Sequence, residues 1–270
     1  MFFTNRTDLL LELAENTNIG GSIHTSFNID GINISKTVID EKGSKAINRP
    51  CGIYYTINSP IIPDLKNEIK AVCNVLKEFI SVNKKKSPRF LVVGLGNPDI
   101  SADSLGWRTA DRILATSSFI DFNKGESIFG NVSVIKTDVS GNSGIDSTLQ
   151  IKLICAGIDA DIVIAVDSLA CSSPDRLCRT IQITDSGIHP GSGAGNPRNM
   201  LDHSSLGVPV IAIGVPTALE QLYKDRRYFV THHDIDIRVK RYSYIISKAL
   251  NKSLNPKITD EELTELIDLS

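Results

Sequence analysis

Two short runs free of charged side chains, Phe90-Leu91-Val92-Val93-Gly94 and Ile162-Val163-Ile164-Ala165-Val166, constrain the fold of this chain most. Continuous apolar runs of this length, rich in β-branched residues, read as strands covered on both faces, which is how interior strands of a parallel sheet read. Parallel neighbours need long crossovers, and helical patterns supply them at Leu105 to Ala115 and at Ile145 to Ala156, the second stopped by Gly157. Val132 to Ile135, Thr180-Ile181-Gln182-Ile183 and Val208 to Ile213 read as further strands, with Pro209 at a strand start or an edge. Strands alternating with helices predict an α/β fold: three layers, a mostly parallel twisted sheet with helices on both faces.

The first 85 residues differ in texture. Asp8 can cap a short helix through Leu9, Leu10, Leu11 and Leu13. Ser26 to Ile39 partly alternates apolar and polar residues around Asp30-Gly31, a hairpin turn signal. Tyr54 to Ile57 reads as a strand. Pro63 opens a helix whose apolar positions Leu65, Ile69, Val72, Leu76 and Phe79 step by three and four. A lysine-rich linker, Ser81 to Pro88, follows. Near the other end Asp234 caps a long amphipathic helix, and Thr259 with Glu262 forms a capping box for a short terminal one. The expected organisation is a small β-containing N-terminal subdomain over 9–85 packed on the core, an α/β core over 86–254, and a short tail over 255–270.

Composition removes several function classes. The 270 residues are 41% hydrophobic and carry a net charge of −2, so there is no basic footprint for nucleic acid. No apolar stretch approaches the ~20 residues that span a bilayer, and Met1 to Arg6 turns polar too soon for a secretory signal. Five cysteines without paired spacing fit reduced thiols in a cytoplasm.

Asp103 and Asp167 each lie just past one of the two apolar runs. Ligands of open parallel sheets bind beyond the carboxyl ends of the strands, and two carboxylates meeting there can share one proton, one as base and one as acid. Taken singly, Asp103 also fits an N-cap of the helix from Leu105, and Asp167 an acceptor for nearby amides. Gly94-Leu95-Gly96-Asn97-Pro98 lacks the third glycine of a dinucleotide loop, so nicotinamide is not expected; the glycines serve a tight bend that carries Asp103 to the sheet mouth. The segment Asp185-Ser186-Gly187-Ile188-His189-Pro190-Gly191-Ser192-Gly193-Ala194-Gly195-Asn196 is too rich in glycine to pack as core, and reads as a long loop at a ligand. His189 lacks a recognisable nucleophile context with Ser192 or Cys171, and His232-His233 lacks zinc-protease spacing.

These segments together resemble the germination protease family of spore-forming bacteria. The matching stretches are Leu91 to Asn97 with Asp103-Ser104-Leu105-Gly106, Val163 to Ala170, Thr180 to Gly193, Leu206 to Thr217 and the opening Arg6-Thr7-Asp8-Leu9. They occur in order over most of residues 6 to 220. The resemblance implies an atypical aspartic endopeptidase, made as a self-processing zymogen, that begins the degradation of small acid-soluble spore proteins in the spore core. It implies no cofactor, no bound metal, no nucleic-acid or membrane partner, and a homo-oligomer, a tetramer in the family. Its catalytic aspartates fall on Asp103 and Asp167. Gly94, Gly96, Asn97, Asp185, Gly187, His189, Gly191, Ser192 and Gly193 become candidates to hold the substrate or stabilise the oxyanion. Residues 1–8 become a propeptide, cut between Asp8 and Leu9. Two departures stand out: Leu10 replaces the family's alanine, and the chain ends sooner after its long helix. The same sheet and acidic pair also resemble hydrogenase-maturation endopeptidases, in which Asp103 and Asp167 would be metal ligands with a histidine. An inactive sporulation-associated homologue acting as a binding module is the third reading. The Gly94 to Pro98 loop resembles peptidyl-tRNA hydrolase too, but that family's motif position and histidine have no counterpart here.

Overall fold

The computed structural model describes residues 7–10, 20–120, 127–137, 143–191, 199–224 and 226–268. The first elements are β1 (Ser22–Ile29), β2 (Ile32–Ile39), α1 (Glu41–Ile47), β3 (Gly52–Asn58) and α2 (Leu65–Ser81). β4 (Arg89–Gly94) leads through a 3-10 turn, Ser101–Asp103, into α3 (Leu105–Ala110) and α4 (Ser117–Ile120). Then come β5 (Asn131–Lys136), α5 (Ser147–Gly157), β6 (Ile162–Cys171), β7 (Thr180–Thr184) and α6 (His203–Leu206). The chain continues through β8 (Val210–Tyr223), β9 (Arg226–Val230), α7 (Ile235–Leu254) and α8 (Asp260–Asp268).

Among the described residues nine strands form one sheet in the order β1-β2-β3-β7-β8-β6-β4-β5, with β9 also on β8. The β8-β6-β4-β5 half is parallel, as the apolar runs demand. Antiparallel pairs extend it through β7 to β3, β2 and β1. The β1–β2 turn is held by Asp30 and Gly31, both at positive φ (47° and 87°), the pairing that a two-residue hairpin of the right twist requires. The chain steps from β4 outward to β5, then back past β4 to β6. Crossovers keep one hand, so these opposite steps put α3 and α5 on opposite faces. α7 packs against α2 and α3, completing one helical layer.

The main core contains both apolar runs, and every residue of β6 is buried. The apolar face of α2 (Ala71, Val72, Val75, Leu76, Phe79) covers it from one side. Several element boundaries differ from the sequence reading, and β6 runs five residues past Val166, so Asp167 lies within the strand rather than beyond its end. The helix from Leu105 ends at Ala110 because Asn251 of α7 takes over the local backbone, accepting from the Leu114 amide and donating to the Arg112 carbonyl. β8 runs ten residues past Ile213 and turns at Lys224 (φ 46°) into β9, carrying a buried Glu220 that no apolar pattern announces. All five cysteines are free thiols, with Cys51 alone exposed. No helix among the described residues is long and apolar enough to cross a membrane.

Candidate active site

Asp167 sits in the middle of β6 at 0% exposure, where burying a carboxylate is costly unless something compensates. Its Oδ1 accepts from the Ser168 amide at 2.8 Å and its Oδ2 from the Gly191 amide at 3.2 Å. The acid is nonetheless pushed well above the ordinary carboxyl range, first by burial, then by the negative charge of Asp103, and further by Asp8. The fold therefore brings Asp103 and Asp167, which lie apart in sequence, into electrostatic contact.

The local chain path explains how. The β4–β6 ladder continues one bond past β4, with the Leu95 amide on the Val166 carbonyl at 2.9 Å. Gly96, at φ 106°, then reverses the chain, and a Cβ there would lie 2.0 Å from the Asp103 carbonyl oxygen. The Asn97 amide donates to Asp103 Oδ2 at 2.9 Å, so Asp103 braces the bend rather than capping α3; Ser104 holds the cap position. The Thr217 hydroxyl of β8 donates to the Ala102 carbonyl at 2.6 Å and pins the turn to the sheet.

Gly106, which the sequence reading quoted only within a matching stretch, makes the approach possible. A Cβ on Gly106 would stand 2.3 Å from the Val166 oxygen and 2.4 Å from both N and O of Leu95. All three are backbone atoms of the sheet and cannot swing aside. Gly106→Ala is expected to cost about 3 kcal/mol in urea melts, by overpacking, and to lower peptidase activity by displacing Asp103. Gly157→Ala, where nothing lies within 4 Å, is the matched control and should stay within about 1 kcal/mol of wild type.

The other candidates divide. Gly94 lies under Gly106, with a Cβ there only 2.4 Å from the Gly106 oxygen. His189 lines a cavity of about 50 Å³ together with Asp8, Arg49, Leu169 and Gln182, and neither Asp103 nor Asp167 lines it. Gly187 (φ 88°) presses on the Leu201 carbonyl at the loop base, and Asp185 accepts from the Ile53 amide at 2.7 Å, tying the loop to β3. Ser192 and Gly193 lie outside the described residues. His189 does not join the two aspartates in a cluster with metal-ligand spacing; among the described residues that spacing occurs at His232, His233 and Asp234.

The N-terminal segment occupies this mouth. Val166 turns its carbonyl toward β4, so alternation turns Ala170 the same way, beyond the point where β4 has ended. Asp8 takes that free edge: its amide donates to the Ala170 carbonyl at 2.9 Å and its Oδ2 accepts from the Ala170 amide at 2.8 Å. Arg49 donates to the Thr7 carbonyl, and Gln182 Oε1 accepts from the Leu10 amide at 2.9 Å. Leu9 and Leu10 are buried. The Asp8 carboxylate thus binds β6; the helix expected beyond Leu10 lies outside the described residues. Ala170, Gln182 and Arg49 were invisible to sequence reasoning because only the docked segment gives them a role.

Comparison with known proteins gives the family. The model of peptidase family A25, germination protease, matches residues 7–223. A germination protease of Caldanaerobacter subterraneus subsp. tengcongensis is 32% identical over 319 residues, covering 97% of this chain and 98% of the relative. One of Bacillus cytotoxicus is 36% identical over 254 residues, covering 88% of this chain and 67% of the relative. A [NiFe] hydrogenase maturation protease, HycI of Thermococcus kodakarensis, overlays 65% of this chain and 98% of its own at 18% identity, with a TM-score of 0.37.

Proposed function

The chain belongs to the germination protease family, and on that premise we propose that it is an aspartic-type endopeptidase acting through Asp103 and Asp167. The observation that carries this is the raised Asp167 carboxyl, buried in β6 and facing the charge of Asp103. Two close carboxylates in a dry site hold one proton between them. Asp167, the more deeply buried, keeps it. Asp103, whose Oδ2 already accepts the Asn97 amide, is the ionised partner that takes a proton from the attacking water. The Asp167 proton polarises the scissile carbonyl and later passes to the leaving amine. The Gly191 amide, which donates to Asp167 Oδ2, is the candidate to steady the developing oxyanion.

The substrates are small acid-soluble spore proteins, cut between an acidic residue and an apolar one, inside the spore core, and the working form is a homo-oligomer. The zymogen reading is supported by residues 7–10, which cover the free edge of β6 where an incoming peptide would pair. Asp8-Leu9 is the bond removed on maturation. N-terminal sequencing of the matured protein should begin at Leu9, and that form should cut a purified small acid-soluble spore protein while the full-length chain does not. A mature N-terminus elsewhere, or equal cutting by both forms, refutes the proposal.

A further inference from the structure

Where β9 gives way to α7, His232, His233 and Asp234 gather three donor atoms, one from each side chain, within 4.8 Å of one another. None of the three belongs to the proposed peptidase chemistry. They are consecutive in the chain, and a turn closed by the Ile235 amide on the His232 carbonyl at 3.1 Å holds them at the start of α7. The two imidazole rings lie 5.3 Å apart, centre to centre. His232 Nδ1 is shielded from solvent and makes no hydrogen bond among the described residues, although Asp234 Oδ1 stands only 2.7 Å away. A shielded ring nitrogen without such a bond is costly unless another partner takes its lone pair. Arg238 Nε donates to the same Asp234 Oδ1 at 2.6 Å, so a metal on the second carboxylate oxygen leaves that bond in place. Two features oppose a cation here, the positive N-terminal end of α7 and the Arg238 charge. A hard ion held by charge alone is therefore disfavoured, whereas imidazole lone pairs reward an ion of the zinc class. Tetrahedral zinc sets its donors about 3.3 Å apart, and the exposed His233 ring is free to close that distance by rotation. The junction also reaches the aspartate platform. The Thr231 hydroxyl donates to the Thr217 carbonyl at 2.7 Å, and the Thr217 hydroxyl in turn pins Ala102, next to Asp103.

We propose that His232, His233 and Asp234 form a binding site for one divalent transition-metal ion of the zinc class, with water completing its shell, and that the ion braces the β9–α7 junction. The site stands independently of the peptidase reading. Its test is calorimetric titration of the full chain with Zn²⁺, and separately with Ca²⁺, in chelator-free buffer and with Cys51→Ser in place to remove the exposed competing thiol. Zn²⁺ should bind one to one with a Kd of about 10 µM or tighter, and Ca²⁺ about tenfold more weakly or worse. His233→Ala, at an exposed position, should weaken Zn²⁺ about tenfold or more, and His232→Ala/His233→Ala should abolish saturable binding, each with the circular dichroism of the parent. Asp103→Asn should bind Zn²⁺ as the parent does, which separates this site from the acidic pair. Zn²⁺ in excess should raise the melting temperature of the parent and leave that of the double histidine variant unchanged. No saturable Zn²⁺ binding, binding indifferent to the histidine variants, binding lost with Asp103→Asn, Ca²⁺ binding as tightly, or an equal melting shift in both forms would each overturn the proposal.

Discussion

Asp167→Asn is expected to lower turnover of a peptide substrate about a thousandfold or more, and Asp103→Asn to do the same. An amide neither holds the shared proton nor takes one from water, whereas its size leaves the β6 packing as it was. On the proposed mechanism the two acids act as one unit, so the double variant should be little worse than either single one. Singles that keep more than a tenth of wild-type turnover would remove the pair from the mechanism. Stability against pH gives a second reading that does not depend on a substrate. The folded pKa of Asp167 lies above its unfolded value, so the native state keeps a proton that the unfolded chain has released. The stabilisation from Asp167 is therefore complete below about pH 4 and is lost as pH rises through the folded value. Asn lacks that dependence. Urea melts from acid to neutral pH should show the variant gaining on wild type as pH rises; parallel curves would mean that Asp167 is not held protonated.

The second large effect is expected at Arg241→Met. Glu68 of α2 is 0% exposed and receives the Arg241 guanidinium of α7, which joins the two long helices of one layer. Burial raises the Glu68 carboxyl, opposed by the Ser59 hydroxyl and the Arg241 charge. Removing the arginine strands a buried carboxylate, which costs about 3–5 kcal/mol, whereas removing both charges together is far milder. Glu68→Gln/Arg241→Met should accordingly recover most of the loss in denaturant melts. The single variant raises the Glu68 carboxyl further, so its penalty should be small in acid and grow as pH rises past the ordinary glutamate range. A penalty under about 1 kcal/mol at neutral pH would show that water, not Arg241, satisfies Glu68.

What the sequence made legible was local or periodic. The apolar runs at Phe90 and Ile162 became interior parallel strands, Asp30-Gly31 became the hairpin turn, and Thr259 with Glu262 made the reciprocal capping bonds. Pairing partners were hidden, because alternation encodes which face a residue takes and not which strand lies beside it; nothing in Tyr54 to Ile57 names β7 as neighbour. The end of α3 was missed since Asn251, 137 residues away from Leu114, supplies the competing hydrogen bonds. The two aspartates were conspicuous as acids after apolar runs, yet the parts that set their geometry (the bare α-carbon of Gly106, the Thr217 hydroxyl, the Ser168 amide) use residue types too common to single out. Asp234 shows the converse: it fits a helix cap, but its carboxylate engages Arg238 at 2.6 Å and His232 at 2.7 Å instead.

Asp167 is mounted on β6 and Asp103 on the turn that follows the adjoining strand β4, which the Thr217 hydroxyl pins to the sheet and which leads into a helix seated on it glycine to backbone. Their alignment inherits the rigidity of the least yielding part of the molecule, where amides exchange with solvent only when the whole chain opens. Over that platform lie the leading segment at Asp8, on the edge of β6, and Gly191, whose amide reaches Asp167. On the proposed zymogen reading, a chain arranged this way is switched on by clearing its doorway, with its working parts already in place.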